Sequence, residues 1–194
     1  MSEMNKPLTN RVALVTGAAG TMGLAATRAL LEDGCRVAMV DVQQVRLTVL
    51  ADSLGPGALP FAFDISDPGA VSEGHAQVVQ SLGPVDILVN NAGILSNNKC
   101  EATDATEWRR VLAVNLDGAF YLAQQVLPGM KERRTGRIIN TCSLAAKTGG
   151  LTAGTAYSVS KGALTSLTFS LARELAPFGV TANGISPAYV KTPM

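Results

Sequence analysis

The 194-residue sequence has little of what metal sites, disulfide frameworks, nucleic-acid surfaces and membrane spans require. Its three cysteines and single histidine, His75, show no metal-type spacing, so we expect no metal site. The 16 basic and 15 acidic residues are scattered along the chain, which argues against nucleic acid or a membrane surface as a partner. No run of about 18 uncharged apolar residues occurs, and the first ten residues lack the apolar core of a secretory signal. These absences predict a soluble protein of the cytoplasm.

Apolar residues are plentiful and evenly distributed. They make up 47% of the chain, which is enough for the core of one domain of good size. No linker, internal repeat or low-complexity segment divides the sequence. We therefore expect one domain over residues 11–194, preceded by a disordered N-terminal tail over residues 1–10.

Short apolar runs alternate with segments of helical periodicity. The runs are almost continuously apolar, as is typical of strands that are buried on both faces of a sheet. Predicted helices follow them, including 68–82, 104–134 with a break near Asn115, and 155–177. Because parallel strands need right-handed crossovers, the pattern predicts a doubly wound α/β fold with a mostly parallel sheet and helices on both faces. The six predicted strands are 11–16, 35–41, 58–64, 85–90, 136–143 and 179–186.

A glycine-rich loop, "VTGAAGTMG" at 15–23, follows the first predicted strand. Gly17 permits a sharp turn, Gly20 keeps side-chain bulk out of the loop, and Gly23 lets the next helix pack close to the sheet. The N–H groups at the start of that helix suit a phosphate. Glycine turns between strand and helix also arise for purely structural reasons, so the loop alone leaves both interpretations open.

Carboxylates stand at the ends of the second and third predicted strands. Asp41 lies eighteen residues after Gly23, where an acidic side chain is expected to accept hydrogen bonds from the adenosine ribose. The same charge would repel a 2′-phosphate, which favours NAD over NADP. Asp64 is placed to accept from the adenine amino group, and a role as an N-terminal helix cap explains it nearly as well.

The segment "YSVSK" places Tyr157 and Lys161 four residues apart on one face of a predicted helix. A phenol with a pKa of about 10 is a poor base at neutral pH, and lowering that pKa by about two units requires roughly 3 kcal/mol of preferential phenolate stabilisation. A neighbouring ammonium is a plausible source of that stabilisation. Ser143, at the end of the fifth strand, is placed to hydrogen-bond the oxygen that is oxidised or reduced.

Together, "TGAAGTMG", "NNAG" at 90–93, Asn115, Ser143, "YSVSK" and "NGISPAYVKTPM" resemble the short-chain dehydrogenase/reductase family in its single-domain, NAD(P)-dependent form. The resemblance spans nearly the whole chain. It implies that Tyr157 is the catalytic acid/base, that Lys161 lowers its pKa and holds the nicotinamide ribose, and that Ser143 orients the substrate. It also implies that Asn115 keeps a proton-relay water near Lys161.

The resemblance further implies an oxidoreductase that transfers a hydride between a nicotinamide cofactor and an alcohol or ketone. We expect NAD as the cofactor, with NADP less favoured, a small-molecule substrate, and a homo-oligomer in the full-length form. Tyr157 and Lys161 also belong to the expected cofactor site. Its other expected members are Gly17, Thr21, Met22, Gly23, Asp41, Asp64, Ile65, Asn91, Gly93, Val190 and Thr192.

Two departures from the family pattern stand out. Thr21 adds a branched side chain where the family has glycine, which either crowds the pyrophosphate or offers it a hydroxyl. The sequence ends at Met194, where relatives continue into a substrate-covering segment and a seventh strand. A second hypothesis therefore stays open: a truncated dinucleotide-binding module without catalysis, or an oligomerisation partner.

Overall fold

The computed structural model describes residues 6–190, and in that part of the chain six parallel strands form one sheet in the order β3-β2-β1-β4-β5-β6. The order reverses between β1 and β4, which creates a crevice at the carboxyl ends of these two strands. Every neighbouring pair is parallel, with registers such as Val15 opposite Met39 and opposite Val89. The strands are β1 Val12–Thr16, β2 Arg36–Asp41, β3 Ala58–Ala62, β4 Ile87–Asn90, β5 Gly136–Thr141 and β6 Val180–Ile185.

Helices connect the strands as crossovers. A π-helical turn, Ala113–Asp117, joins α4 to α5 at the place where the sequence predicts a break near Asn115. Asp67 begins α3 by accepting from the backbone N–H groups of Gly69 and Ala70, so the predicted bounds of this helix are met. The helices are α1 Thr21–Glu32, α2 Gln44–Leu54, α3 Pro68–Leu82, α4 Ala105–Leu112, α5 Gly118–Arg133, α6 Ala145–Thr148 and α7 Thr155–Leu175.

The core consists of two apolar layers, one on each face of the sheet. Helices α1 and α2 cover the face to which Val15 and Met39 point. Helices α3, α5 and α7 cover the face that carries Leu14 and Ile138. Because β1 and most of β2 are buried on both sides, the continuous apolar runs of the sequence are explained, and the predicted doubly wound α/β fold is confirmed.

Residues 6–10 differ from the expected disordered tail. They form turns in which the Leu8 N–H donates to the Asp33 carbonyl at 3.0 Å, and the Leu8 side chain packs against the apolar layer under α1. Within residues 6–190, no helix is long and apolar enough to cross a membrane.

Candidate active site

A cavity of about 510 Å³ lies at the carboxyl end of the sheet. It is bounded by the loops that follow β1, β2, β3 and β4, which is the crevice expected from the strand order. Many residues predicted for the cofactor site line it together. These residues are Gly17, Thr21, Met22, Asp41, Asp64, Ile65, Asn91 and Gly93.

The glycine loop lets backbone segments approach closely. Gly17 has φ +63°, and a Cβ added there would stand 2.9 Å from the Cα of Ala92. A Cβ on Gly23 would overlap the carbonyl oxygen of Gly17, so Gly23 brings α1 against the loop. The hydroxyl-bearing Thr21 is exposed at the first position of α1, and no side chain among residues 6–190 caps this helix terminus. The loop therefore leaves a helix N-terminus open toward the cavity.

Asp41 is fixed at the end of β2 by two backbone donors. One carboxylate oxygen accepts from the N–H of Ala19 and the other from the N–H of Gln43, each at 3.1 Å. The first of these bonds joins β2 to the glycine loop. Arg46 lines the same cavity from the first turn of α2, and the sequence analysis did not single it out.

Asp64 organises a turn and does not cap a helix. One of its carboxylate oxygens accepts from both the N–H and the hydroxyl of Ser66, each at 2.8 Å. The cap of α3 is Asp67, so the helix-cap interpretation of Asp64 is wrong. Ile65 is buried beside it, and a Cβ on Gly118 would lie 2.7 Å from its Cδ1.

Thr16 connects β1 to the segment after β4, which is a contact that the sequence analysis missed. Its hydroxyl accepts from the N–H groups of Asn91 and Ala92, both at 3.0 Å. The Asn91 amide in turn donates to the carbonyl of Thr16 at 3.0 Å and to that of Gly17 at 3.4 Å. Asn91 therefore holds the floor of the cavity against the glycine loop.

Lys161 and Tyr157 lie one turn apart on α7. The Lys161 ammonium is buried, donates to the Thr141 carbonyl at 2.7 Å, and stands 5.9 Å from the centroid of the Tyr157 ring. A Cβ on Gly93 would lie 3.3 Å from this ammonium, so the lysine is adjacent to the cavity. Burial lowers the pKa of Lys161 from 10.5 to about 8, and a smaller Coulombic effect of the neighbouring Cys142 side chain opposes this shift.

Asn115 is held by three hydrogen bonds in the π-helical turn. Its amide oxygen accepts from the N–H of Ile94 at 2.8 Å, and its amide nitrogen donates to the Ile94 carbonyl and to the Ser160 hydroxyl, both at 3.0 Å. The Ser160 hydroxyl in turn donates to the carbonyl of Tyr157 at 2.7 Å. This arrangement joins the loop after β4 to α7, and Ser160 is a further residue that the sequence analysis missed.

Ser143 and Val190, like Gly23, Asn115, Tyr157 and Lys161, are not part of the cavity lining. The Ser143 hydroxyl oxygen, just past β5, accepts from the N–H of Ala145 at 3.1 Å. Val190 is 48% exposed at the last described position. Thr192 lies outside the described residues. In residues 6–190, no three His, Cys, Asp or Glu side chains form a group that could hold a metal ion.

The doubly wound parallel sheet, with a glycine loop after β1 and a carboxylate after β2 at the strand-order reversal, defines a Rossmann-like, dinucleotide-binding class of protein. The family model described as short chain dehydrogenase matches residues 11–194. The chain belongs to the short-chain dehydrogenase/reductase family and is an oxidoreductase of that family, so the predicted resemblance is confirmed.

Several curated relatives are similar over almost the whole chain. Nodulation protein G of Azospirillum brasilense is 42% identical, with 96% of this chain and 77% of the relative covered. A 3-alpha-(or 20-beta)-hydroxysteroid dehydrogenase of Mycobacterium bovis is 37% identical, with 98% and 73% covered. A 3-oxoacyl-(acyl-carrier-protein) reductase of Vibrio cholerae is 36% identical, with 96% and 76% covered. The chain thus spans about three quarters of each relative.

A solved structure supports the fold independently. The crystal structure of NAD+-bound xylitol dehydrogenase superposes with a TM-score of 0.90 at 34% sequence identity. The match covers 95% of this chain and 72% of that one. Family membership together with this neighbour implies a nicotinamide cofactor.

Proposed function

We propose that this protein is an NAD-dependent oxidoreductase that interconverts an alcohol and a ketone, with Tyr157 as the acid/base. One observation carries the proposal. The buried ammonium of Lys161 lies next to the Tyr157 ring on one side and next to Gly93, at the cavity, on the other. A cation in this place can stabilise a phenolate and contact a ligand in the cavity at the same time.

The cavity fits a dinucleotide. Gly17 and Gly23 let the loop pack closely against Ala92 and α1, because a Cβ on either would clash with backbone atoms. The open N-terminus of α1 is suited to a pyrophosphate. Thr21 offers its exposed hydroxyl there, and Met22 and Ile65 supply apolar contacts along the lining. Val190 and Thr192 are proposed as carboxamide contacts from the family resemblance.

Asp41 supports the choice of NAD. Its two oxygens are held by backbone N–H groups and retain lone pairs for two ribose hydroxyls. A 2′-phosphate would stand beside this carboxylate and be repelled. Asp64 keeps one carboxylate oxygen outside its turn with Ser66 and can accept from the adenine amino group.

Proton transfer is assigned to Tyr157. In the oxidation direction, its phenolate takes the proton of the substrate hydroxyl, and the ammonium of Lys161 stabilises the phenolate beforehand. Ser143 donates to the substrate oxygen, and Asn115 holds the loop after β4 in place at Ile94. Bound NAD+ in the cavity would supply the acceptor for the hydride of the substrate carbon.

The substrate class follows from chemistry that the named relatives share. The names hydroxysteroid dehydrogenase, 3-oxoacyl reductase and xylitol dehydrogenase all describe an alcohol or ketone carbon as the reacting centre. We propose the same reaction on a small molecule here. A homo-oligomer is also proposed, because Phe120 of α5 and Phe169 of α7 are 42% and 72% exposed. The unpaired cysteines support a cytoplasmic location.

The test is a panel of secondary alcohols with NAD+ and of ketones with NADH, followed by the absorbance of the reduced nicotinamide. Turnover on at least one pair, with NAD(H) preferred to NADP(H), is the expected result. Tight NAD binding without turnover on any member of the panel would favour the alternative of a non-catalytic dinucleotide-binding module.

A further inference from the structure

The start of α7, the helix that carries Tyr157, is capped by a distant loop. No side chain of the described residues caps this helix, and its first N–H groups instead donate to carbonyls of the segment after β4. The N–H of Gly154 donates to the Ser96 carbonyl at 2.6 Å, and that of Thr155 donates to the Asn98 carbonyl at 3.0 Å. Because helix termini leave N–H groups without intrahelical partners, these two bonds stabilise the first turn.

Glu107 of α4 holds that loop in place. One of its carboxylate oxygens accepts from the hydroxyl of Ser96, which is buried, and the other accepts from the Asn98 amide at 2.7 Å. These hydrogen bonds lower the pKa of Glu107, so the carboxylate remains charged in mild acid. The N–H of Glu107 is bound by Asp104, the cap of α4, at 2.7 Å. A single carboxylate therefore fixes both residues whose carbonyls cap α7.

Lys99 forms a second connection between the same two segments. Its ammonium donates to the carbonyls of Gly150 at 2.6 Å and of Ala153 at 2.7 Å, which lie just before α7. The approach is close, since a Cβ on Gly154 would lie 2.5 Å from the Asn98 carbonyl oxygen and 2.7 Å from that of Ser96. We call this set of contacts the α7 clamp. In it, Glu107 holds residues 96–99, and Lys99 and two carbonyls of that segment bind residues 150–155.

We propose that Glu107 and Lys99 are positioning residues, which fix the first turn of α7 and through it the hydroxyl of Tyr157. This inference rests on the proposed function of Tyr157. Tyr157 is the third residue of α7 and lies in the turn that the clamp caps. Lys161 lies one turn further along and is held separately by the Thr141 carbonyl. Loss of the clamp should therefore disturb proton transfer more than cofactor binding.

The first experiment replaces the carboxylate in the full chain. In Glu107→Gln, both charge-assisted hydrogen bonds become neutral ones, and only one of the two contacts keeps an acceptor oxygen from residue 107. Amide exchange measured by mass spectrometry on peptides covering residues 154–160 should accelerate about tenfold, because the turn opens more often. Turnover should fall about tenfold, while the Kd for NAD stays within about twofold of the wild-type value.

Matched variants separate this effect from general damage. Glu101→Gln removes an exposed acidic group in the neighbouring 3-10 turn, Cys100–Ala102, and should change neither exchange nor turnover. The double variant Glu107→Gln with Asn98→Asp reverses donor and acceptor across the 2.7 Å contact and should restore slow exchange and turnover. Lys99→Met should reproduce the loss seen in Glu107→Gln.

The outcomes are distinguishable. Unchanged exchange at residues 154–160 in Glu107→Gln would overturn the clamp. Faster exchange with wild-type turnover would overturn its role in positioning Tyr157. A wild-type protein with no turnover on the substrate panel would overturn the proposed function, and the exchange data alone would then decide whether Glu107 holds the turn.

Discussion

The side-chain amide of Asn115 donates to the hydroxyl of Ser160 across 3.0 Å, between two fully buried groups that are 45 residues apart in the chain. This bond connects the π-helical turn to the helix that carries Tyr157 and Lys161. Since the Ser160 hydroxyl donates to the Tyr157 carbonyl at 2.7 Å, the two elements cannot shift independently without breaking a buried bond.

Replacing Ser160 by alanine should therefore cost both stability and turnover. The Asn115 amide would keep a buried hydrogen without an acceptor, which destabilises by about 1–3 kcal/mol. Urea unfolding and turnover of Ser160→Ala measure the two effects. Ser158→Ala is the matched control, because within the described part of the chain the Ser158 hydroxyl bonds only the Gly154 carbonyl at the start of its own helix. Equal losses of turnover in both variants would contradict a specific coupling to Asn115.

The charge of Lys161 should destabilise the cofactor-free protein at neutral pH. Its pKa is about 8 when folded, against 10.5 in an unfolded chain, so the unfolded state binds more protons between these pH values. Stability therefore rises with pH across that window, and below it the buried charge costs about 3 kcal/mol.

Lys161→Met should accordingly be more stable than the wild type at about pH 7, by up to about 2–3 kcal/mol, with the lost bond to the Thr141 carbonyl reducing the gain. The difference should shrink at about pH 10. Urea unfolding at both pH values checks this. Lys147→Met, at an exposed position, should show no such pH dependence. A Lys161→Met variant that is less stable at neutral pH would contradict the burial cost.

The glycine loop should tolerate a side chain at position 21 but not at position 17. Gly17→Ala combines an unfavourable φ of +63° with a contact of 2.9 Å to Ala92, and it should abolish most NAD binding. Gly55 also has a positive φ, +91°, but lies in open space. Gly55→Ala therefore shows the effect of backbone strain alone, without a steric contact. Thr21→Gly should change NAD affinity by only a few-fold. Calorimetric titration distinguishes the three, and normal NAD binding by Gly17→Ala would exclude a phosphate cradle.

Cofactor choice should depend on Asp41. NAD should bind more tightly than NADP by about 1–3 kcal/mol, the usual cost of placing like charges together. Asp41→Asn should reduce this preference, because Arg46 in the same cavity then faces a 2′-phosphate without a competing carboxylate. Asp52→Asn, an exposed change of the same charge on α2, should leave the preference intact. Equal affinities for NAD and NADP in the wild type would refute the role of Asp41.

The sheet was predictable because parallel strands that are buried on both faces have continuous apolar runs in the sequence. All six strands occur where they were expected, although β3 ends at Ala62 and not at Asp64, and β4 begins at Ile87. The strand ends in turn place Asp41 and Asn91 at one crevice, since parallel strands share a carboxyl edge. Local periodicity and topology rules were sufficient for this much.

The supporting hydrogen bonds were not predictable in the same way. Thr16 binds Asn91, 75 residues later, and Glu107 reaches Ser96 across a loop. Such pairs depend on strand register and rotamers, which single-sequence patterns do not contain. The break near Asn115 was visible in the sequence, but its π-helical form was not predicted, and the same asparagine is bound to the loop at Ile94.

The most direct test is the turnover of Tyr157→Phe measured beside its NAD affinity. Removing the phenolic oxygen deletes the proton-transfer atom and little packing, so turnover should fall about 10²–10⁴-fold while the Kd for NAD stays within about twofold. Tyr121→Phe, a half-buried phenol on α5, is the control and should keep wild-type turnover. A Tyr157→Phe enzyme with near wild-type turnover would contradict Tyr157 as the acid/base.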